Sequence, residues 1–250
     1  MAAPTTASNC KVLLLAGGLG TRLRPLTDHT PKCLIPIHGR PLLDYWLARF
    51  HAAGIYDVLL NSHHLHPQVE RYVRDVNARG YFRIKLFHEP TLLGSAGTIH
   101  ANRDLVRAGE TALVVYADNL SNVDLGALLN YHRGHGRPLT MMLFHTPYPD
   151  KCGIAELDAS GRVVSFVEKP KQPKSDLANA GLYAMTAEAY REMADMNKFD
   201  LGFEVLPAFV GRMMGWTWNG YHRDIGTPEA LRNAEAELSS WGGDRVELPQ

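Results

Sequence analysis

What the 250-residue sequence lacks already narrows its function. Cysteine is scarce: Cys10, Cys33 and Cys152 form no CxxC pair and no metal-spaced set. So odd and sparse a count fits a reducing cytoplasm better than a disulfide scaffold. Net charge is missing as well, because Lys plus Arg and Asp plus Glu both number 26. Nothing in that balance asks for a nucleic acid or an anionic membrane as partner, so any anion site must be local. No apolar run approaches the roughly 18–20 residues of a membrane span. Residues 1–9 have neither a basic start nor an apolar stretch, and read as a loose N-terminus rather than a signal peptide. Internal repeats, charge blocks and low-complexity linkers are absent too.

What remains is an ordinary globular composition, 45% hydrophobic and 21% charged, with enough apolar residues for a real core. Short apolar runs predict strands at 11–16, 57–61, 83–88 and 111–116, with helical spacing at 42–53, 67–77 and 95–106 between them. That alternation implies a parallel sheet covered on both faces. Strands are then predicted at 139–145, 153–157, 163–168 and 179–185 with little helix among them, followed by helices over 186–195 and 227–239. The expected organisation is a flexible N-terminus (1–10), one α/β domain (11–239) and a polar tail (240–250). The domain divides into a nucleotide-binding half (11–120) and a more mixed half (121–239).

The sharpest local signal is AGGLGTRLRPLT, residues 16–27, directly after the first strand. Gly17, Gly18 and Gly20 carry no side chains, so phosphate oxygens can approach backbone N–H groups. Arg22 adds a forked cation and Lys32 a second one on the loop that follows. The segment is not a P-loop, since no Gly-Lys-Ser/Thr follows, and it lacks GxGxxG. Two adjacent glycines alone would be explained as well by a plain turn; Gly20, Thr21, Arg22 and Lys32 favour an anion site. Asp118 lies just past a buried strand, at the edge where open α/β sheets place ligands, and Asp224 precedes a glycine and a helix start. Carboxylates so placed can hold Mg2+ between phosphates, although each alone is more often a turn or cap residue. Glu168 beside Lys169 at a strand end is, taken alone, an ordinary solvated pair. His63, His64 and His66 do not have zinc-site spacing and read as surface or packing residues. Trp216, Trp218 and Tyr221 read as core or pocket wall.

GGLGTRLRPLT followed by PKCLIPIHGRPLLDY resembles the opening of the sugar-1-phosphate nucleotidyltransferases, GGxGTRLxPLT and then PKxLxPIxxxPLL. The resemblance runs from residue 11 to about 238 and is far more specific than a glycine triplet. It implies the nucleotide-diphospho-sugar transferase fold: Rossmann-like α/β, with a mixed, mainly parallel sheet flanked by helices. It also implies nucleotide contacts from Leu15, Ala16, Gly17, Gly18, Gly20 and Thr21. Further contacts come from Glu89, Gly94, Ser95, Ala96 and Gly97, where small residues let base and ribose lie against the backbone. The form LGSAG is closest to members that use GTP. Asp118 and the Asp224 of DIGTP would bind the catalytic Mg2+. Arg22, Lys32 and Lys169 would supply catalytic charge, and Asn119, Gly153, Glu168, Lys169 and Asn179 would hold the sugar phosphate. Ala117 before Asp118 and Cys152 before Gly153 depart from the family's usual Gly and Tyr.

The implied reaction joins a nucleoside triphosphate to a sugar 1-phosphate, of mannose or D-glycero-D-manno-heptose type, and releases pyrophosphate. The implied partners are these two substrates, with a homo-oligomer left open. With only a short polar stretch after residue 239, the expected resemblance is to compact members of the family. Alternatives are the same chemistry with CTP, UTP or dTTP and another phosphate acceptor, and a catalytically silent subunit that binds nucleotide sugar. A glycosyltransferase of related architecture needs a DxD motif, which Asp118-Asn119-Leu120 does not supply.

Overall fold

The computed structural model describes residues 9–243 and Leu248. In chain order its elements begin with β1 (Cys10–Leu15), α1 (Leu26–His29), β2 (Pro36–Ile37), β3 (Arg40–Pro41), α2 (Leu42–Ala52), β4 (Asp57–Ser62), α3 (His66–Ala78) and β5 (Arg83–His88). Next come α4 (Gly94–Ala101), β6 (Thr111–Tyr116), β7 (Asn119–Ser121), α5 (Leu125–His135), β8 (Leu139–His145), β9 (Gly153–Leu157) and β10 (Val163–Glu168). The chain closes with β11 (Leu177–Thr186), α6 (Ala187–Asp195), β12 (Met213–Thr217), β13 (His222–Asp224) and α7 (Pro228–Glu237). Most of the expected loose N-terminus (1–10) and of the polar tail (240–250) lies outside the described residues; Cys10 is buried and opens β1.

Two compact units emerge, and their chain segments interleave: residues 1–92, 116–125 and 220–250 form one, and 93–115 with 126–219 form the other. In the first, β4 pairs in parallel with β1 on one side and β5 on the other. Val12, Leu13 and Leu14 are buried without the alternation of a half-exposed strand, as a sheet covered on both faces requires. Asp57 at the start of β4 receives Lys11 and Arg83, fixing the same end of all three strands. Leu23, Ile35, Ile37, Leu42, Leu120 and Ile225 pack into one apolar cluster of this unit. Its members Leu23, Ile35, Leu120 and Ile225 stand close in sequence to Arg22, Lys32, Asp118 and Asp224, so distant stretches of chain share one support. The short antiparallel pair β7 and β13 sets Asn119 opposite Asp224.

The second unit is largely antiparallel. β11 pairs with β6, β8 and β9, β9 forms a hairpin with β10, and β12 runs parallel to β8. The hairpin turn is built by Asp158, whose Oδ1 accepts from the amides of Ser160 and Arg162. Two expectations are corrected here. The stretch after residue 121 holds a full helix, α5, which buries Leu125, Leu128, Leu129 and His132 on one face. Helix α4 ends at Ala101 rather than 106 because the Asn102 side chain donates to the Thr98 carbonyl, the acceptor the next helical amide would use. Among the described residues, no helix is long and apolar enough to cross a membrane.

Candidate active site

In the first unit the glycine segment leaves the end of β1 through Leu15 and Ala16. The Ala16 amide donates to Asn61 Oδ1 at 2.6 Å, and Asn61 Nδ2 donates to Glu89 Oε1 at 2.8 Å. Asn61 and Glu89 are only 3% and 1% exposed, so this brace lies inside the protein. It occupies the space beside Gly17, where a Cβ would stand 2.8 Å from Asn61 Nδ2. Glu89, expected at the nucleotide, has its carboxyl turned to this support. Gly18 faces open space, with no atom within 4 Å of an added Cβ. Gly20 is required in its place: its φ is +63°, and a Cβ would meet Thr27 Cγ2 at 2.7 Å. Thr27 Oγ1 in turn donates to the Gly20 carbonyl at 2.8 Å. Thr21 and Arg22 stand on the exposed 3-10 turn that follows.

Lys32 is the centre of the charge cluster. Its side chain is 8% exposed, and Nζ lies 2.6 Å from Asp118 Oδ2 and 3.4 Å from Asp224 Oδ1. Arg22 Nη2 approaches the other Asp224 oxygen at 3.7 Å. Backbone bonds fix this meeting: the Ala117 amide donates to Leu15 O and the Ile225 amide to Asp118 O, both at 2.9 Å. The fold thus brings together Arg22, Lys32, Asp118 and Asp224, predicted from four separate segments. Surrounding protein raises the Asp224 carboxyl above its ordinary value, and the like charge of Asp118 adds to this while Lys32 and Arg22 oppose it. Since 54% of the Asp224 side chain is still exposed, the neighbouring carboxylate is the sounder cause of that rise. The adjacent Cys33 thiol is buried and pushed up to about 12, so it offers no thiolate. Asn119 is buried, and its carbonyl accepts from Trp46 Nε1 at 2.8 Å.

The three clustered histidines brace loops of this unit. His63 pairs with the Glu89 carbonyl and His64 with the Thr27 carbonyl, each at 2.7 Å, while His66 bonds Ser62 and stacks on His88. Among the described residues no group of three or more His, Cys, Asp or Glu is arranged to hold a metal.

The second unit carries the other predicted residues. β9 sets Gly153 opposite Glu168 of β10, and a Cβ on Gly153 would stand 2.4 Å from Glu168 Oε2. A Cβ on Gly202 would likewise meet Glu168 Oε2, at 2.8 Å. Burial raises the Glu168 carboxyl above its usual range; Lys169 opposes the rise and Asp200 adds to it. Lys169 has φ +50°, and its amide donates to the Cys152 carbonyl at 3.0 Å. Asn179 is engaged within its own bend, accepting from the Gly181 amide and donating to the Tyr183 hydroxyl. At the start of α4, Gly94 has φ +77°, Ser95 Oγ accepts from the Leu201 amide at 2.9 Å, and the Ala96 amide donates to Phe199 O at 3.0 Å. Gly97 is close-packed, its added Cβ standing 3.2 Å from Leu93 Cβ. Sequence reasoning missed Asn61, Asp200 and Gly202. The position of Asn61 at the end of the strand beside β1 was a signal for it.

Comparison with known proteins yields concordant likenesses. A family model described as nucleotidyl transferase matches residues 11–240. A mannose-1-phosphate guanylyltransferase of Mycobacterium tuberculosis is 35% identical over 230 residues, covering 90% of this chain and 64% of that protein. A mannose-1-phosphate guanylyltransferase catalytic subunit beta of Danio rerio is 31% identical over 223 residues, covering 88% and 62%. The chain therefore spans somewhat less than two thirds of the length of these curated relatives. A solved Bacillus anthracis protein, provisionally assigned as a glucose-1-phosphate thymidylyltransferase and complexed with sucrose, superposes with TM-score 0.80. That likeness covers 96% of this chain and 98% of the other at 19% identity, and shows the fold: a mixed, mostly parallel α/β sheet flanked by helices.

Proposed function

Because the chain belongs to the nucleotidyl transferase family, we propose that it joins GTP to a manno-configured sugar 1-phosphate, of mannose or D-glycero-D-manno-heptose type. Pyrophosphate leaves and a nucleotide-activated sugar results. The observation that carries this reading is the gathering of Asp118 and Asp224 on the Lys32 ammonium, with Arg22 beside them. A protein that only bound nucleotide sugar would have no need of this paired-carboxylate cluster. The names of the relatives support the choice of GTP and a mannose-type acceptor.

The reaction is an in-line displacement. An oxygen of the sugar phosphate forms a bond to the α-phosphorus, and the bond from that phosphorus to the bridging oxygen of pyrophosphate breaks. The attacking group is already an anion, so the protein needs no nucleophile of its own; its work is alignment and charge neutralisation. The open backbone at Gly18 receives phosphate oxygens. Arg22, exposed and forked, takes the charge that builds on pyrophosphate. Lys32 offsets the negative charge gathered at the two aspartates. In the second unit Lys169 meets the acceptor phosphate, while Glu168 and the backbone at Gly153 meet sugar hydroxyls.

Mg2+ fits the donor set of Asp118 and Asp224, because that ion is commonly held by one or two carboxylates together with substrate phosphates. When bound it would neutralise phosphate charge. A cytoplasmic location belongs to the same proposal, supported by the three free cysteines among the described residues. The test is pyrophosphate release with ATP, GTP, CTP, UTP and dTTP, each against a panel of sugar 1-phosphates. Release is expected with GTP and mannose 1-phosphate. Release with another base alone would reassign the donor, and none with any pair would turn the reading toward a silent nucleotide-sugar-binding subunit.

A further inference from the structure

In the second unit, Phe199 and Phe203 are 56% and 57% exposed, an unusual display of aromatic surface within five consecutive residues. Phe203 lies in the π-helical turn Leu201–Val205, a rare geometry that recurs at functional sites. The exposure does not come from a slack loop. Glu204 Oε2 accepts from the amides of Phe199 and Asp200 at 3.0 and 2.9 Å, and Asp200 Oδ1 accepts from the Phe203 amide at 2.9 Å. Phe199 is anchored on the start of α4 through the Ala96 amide, its ring filling the space that Gly94 leaves. Gly202 makes room for the Glu168 carboxyl, and Lys169 Nζ lies 5.7 Å from the centre of the Phe203 ring.

We propose that this turn is the specificity wall of the acceptor site, with Phe203 packing against the apolar face of the sugar ring and Asp200 accepting hydroxyls at its edge. The inference rests on the reading of Glu168 and Lys169 as the sugar-phosphate cluster. A pyranose offers a C–H face that an aromatic ring can cover and a hydroxyl edge that carboxylates can bind. The turn presents both partners side by side. Asp200 Oδ2 takes no hydrogen bond among the described residues, so one oxygen stays available. The ammonium beside the ring draws the phosphate there, which leaves the pyranose to extend over the phenyl face. Gly153 and Gly202 keep side chains out of the space around Glu168.

The test uses the full chain and its Phe203→Ala, Phe203→Tyr and Asp200→Asn variants. Calorimetric titration with mannose 1-phosphate and with its epimer glucose 1-phosphate is paired with steady-state pyrophosphate release. Phe203→Ala should weaken mannose 1-phosphate binding and raise its KM about tenfold, the scale of one aromatic contact. Its KM for the triphosphate should stay within about twofold, and Phe203→Tyr should restore acceptor binding. Asp200→Asn should narrow the preference between the two epimers by a similar factor. Because Phe203 is exposed, thermal unfolding of Phe203→Ala should match the parent. Unchanged acceptor binding in Phe203→Ala, or equal rises in both KM values, would overturn the inference. Turnover with unaltered acceptor binding in the variants sinks this inference alone; acceptor binding that depends on Phe203 without any turnover sinks only the proposed activity.

Discussion

Lys32 and its partners in the first unit satisfy one another, whereas Glu168 in the second is given room. Lys32 is almost wholly buried between Asp118 and Asp224, with Arg22 completing the set. Glu168 instead sits where two glycines withhold their side chains, beside another carboxylate and an exposed phenyl ring. Mutual pairing keeps a dense cluster of charge stable before any substrate arrives. Glycine clearance keeps a carboxylate accessible to hydroxyls, at the cost of leaving its charge poorly compensated. Under the proposed function the first arrangement would serve phosphates and a divalent cation, and the second the sugar.

Substitutions separate the two arrangements. The largest effect is expected from Arg22→Ala, whose cation is exposed and only loosely held at 3.7 Å from Asp224. Its pyrophosphate release should fall on the order of 10²–10³, as when other electrostatic stabilisers are lost. Stopped-flow rates at saturating substrates check this, with unfolding midpoint unchanged. Gly153→Ala comes next, because its Cβ would drive the Glu168 carboxyl aside. Overpacking of this kind costs about 1–3 kcal/mol, and the acceptor KM should rise about tenfold. Gly18→Ala is its counterpart: open space around it predicts unchanged stability in denaturant titrations and weaker triphosphate binding.

Lys32→Met should destabilise the substrate-free protein by about 1–2 kcal/mol, less than a fully buried pair because both aspartates remain partly exposed. Added Mn2+ should then raise the unfolding temperature more in this variant than in the parent, since no ammonium competes for the carboxylates. The smallest effect concerns Asp57, whose carboxyl is held down at about 2, chiefly by its hydrogen bond from Arg83, with Lys11 adding and burial opposing. A depressed carboxyl stabilises the fold fully above its unfolded value of 3.8 and loses that contribution as pH falls toward 2. Asp57→Asn should therefore cost about 1 kcal/mol in urea unfolding at pH 7, and progressively less as pH falls from 3.8 through about 2.

Much of the fold was legible because buried strands write themselves as short apolar runs. The predicted bounds of 83–88, 111–116, 139–145, 153–157 and 163–168 coincide with strands. Helix α5 was hidden by Gly126 and Gly134 and by its histidines, although its buried positions keep a helical spacing. At the site, the glycine loop and DIGTP announced themselves. Their convergence on Lys32 did not, because β7 and β13, each three residues long, carry no readable period. The Phe199–Phe203 turn was illegible for another reason: DLGFEV has no motif, and only its packing on Gly94 and Glu168 gives it meaning.

The proposed function stands or falls with the Asp118 and Asp224 pair. The most direct measurement is pyrophosphate release from GTP and mannose 1-phosphate in the presence of Mg2+, comparing the parent with Asp118→Asn and Asp224→Asn. Release is expected from the parent, with a loss on the order of 10²-fold or more in each variant while both stay folded. Release that persists unchanged in the two variants would contradict the proposed function.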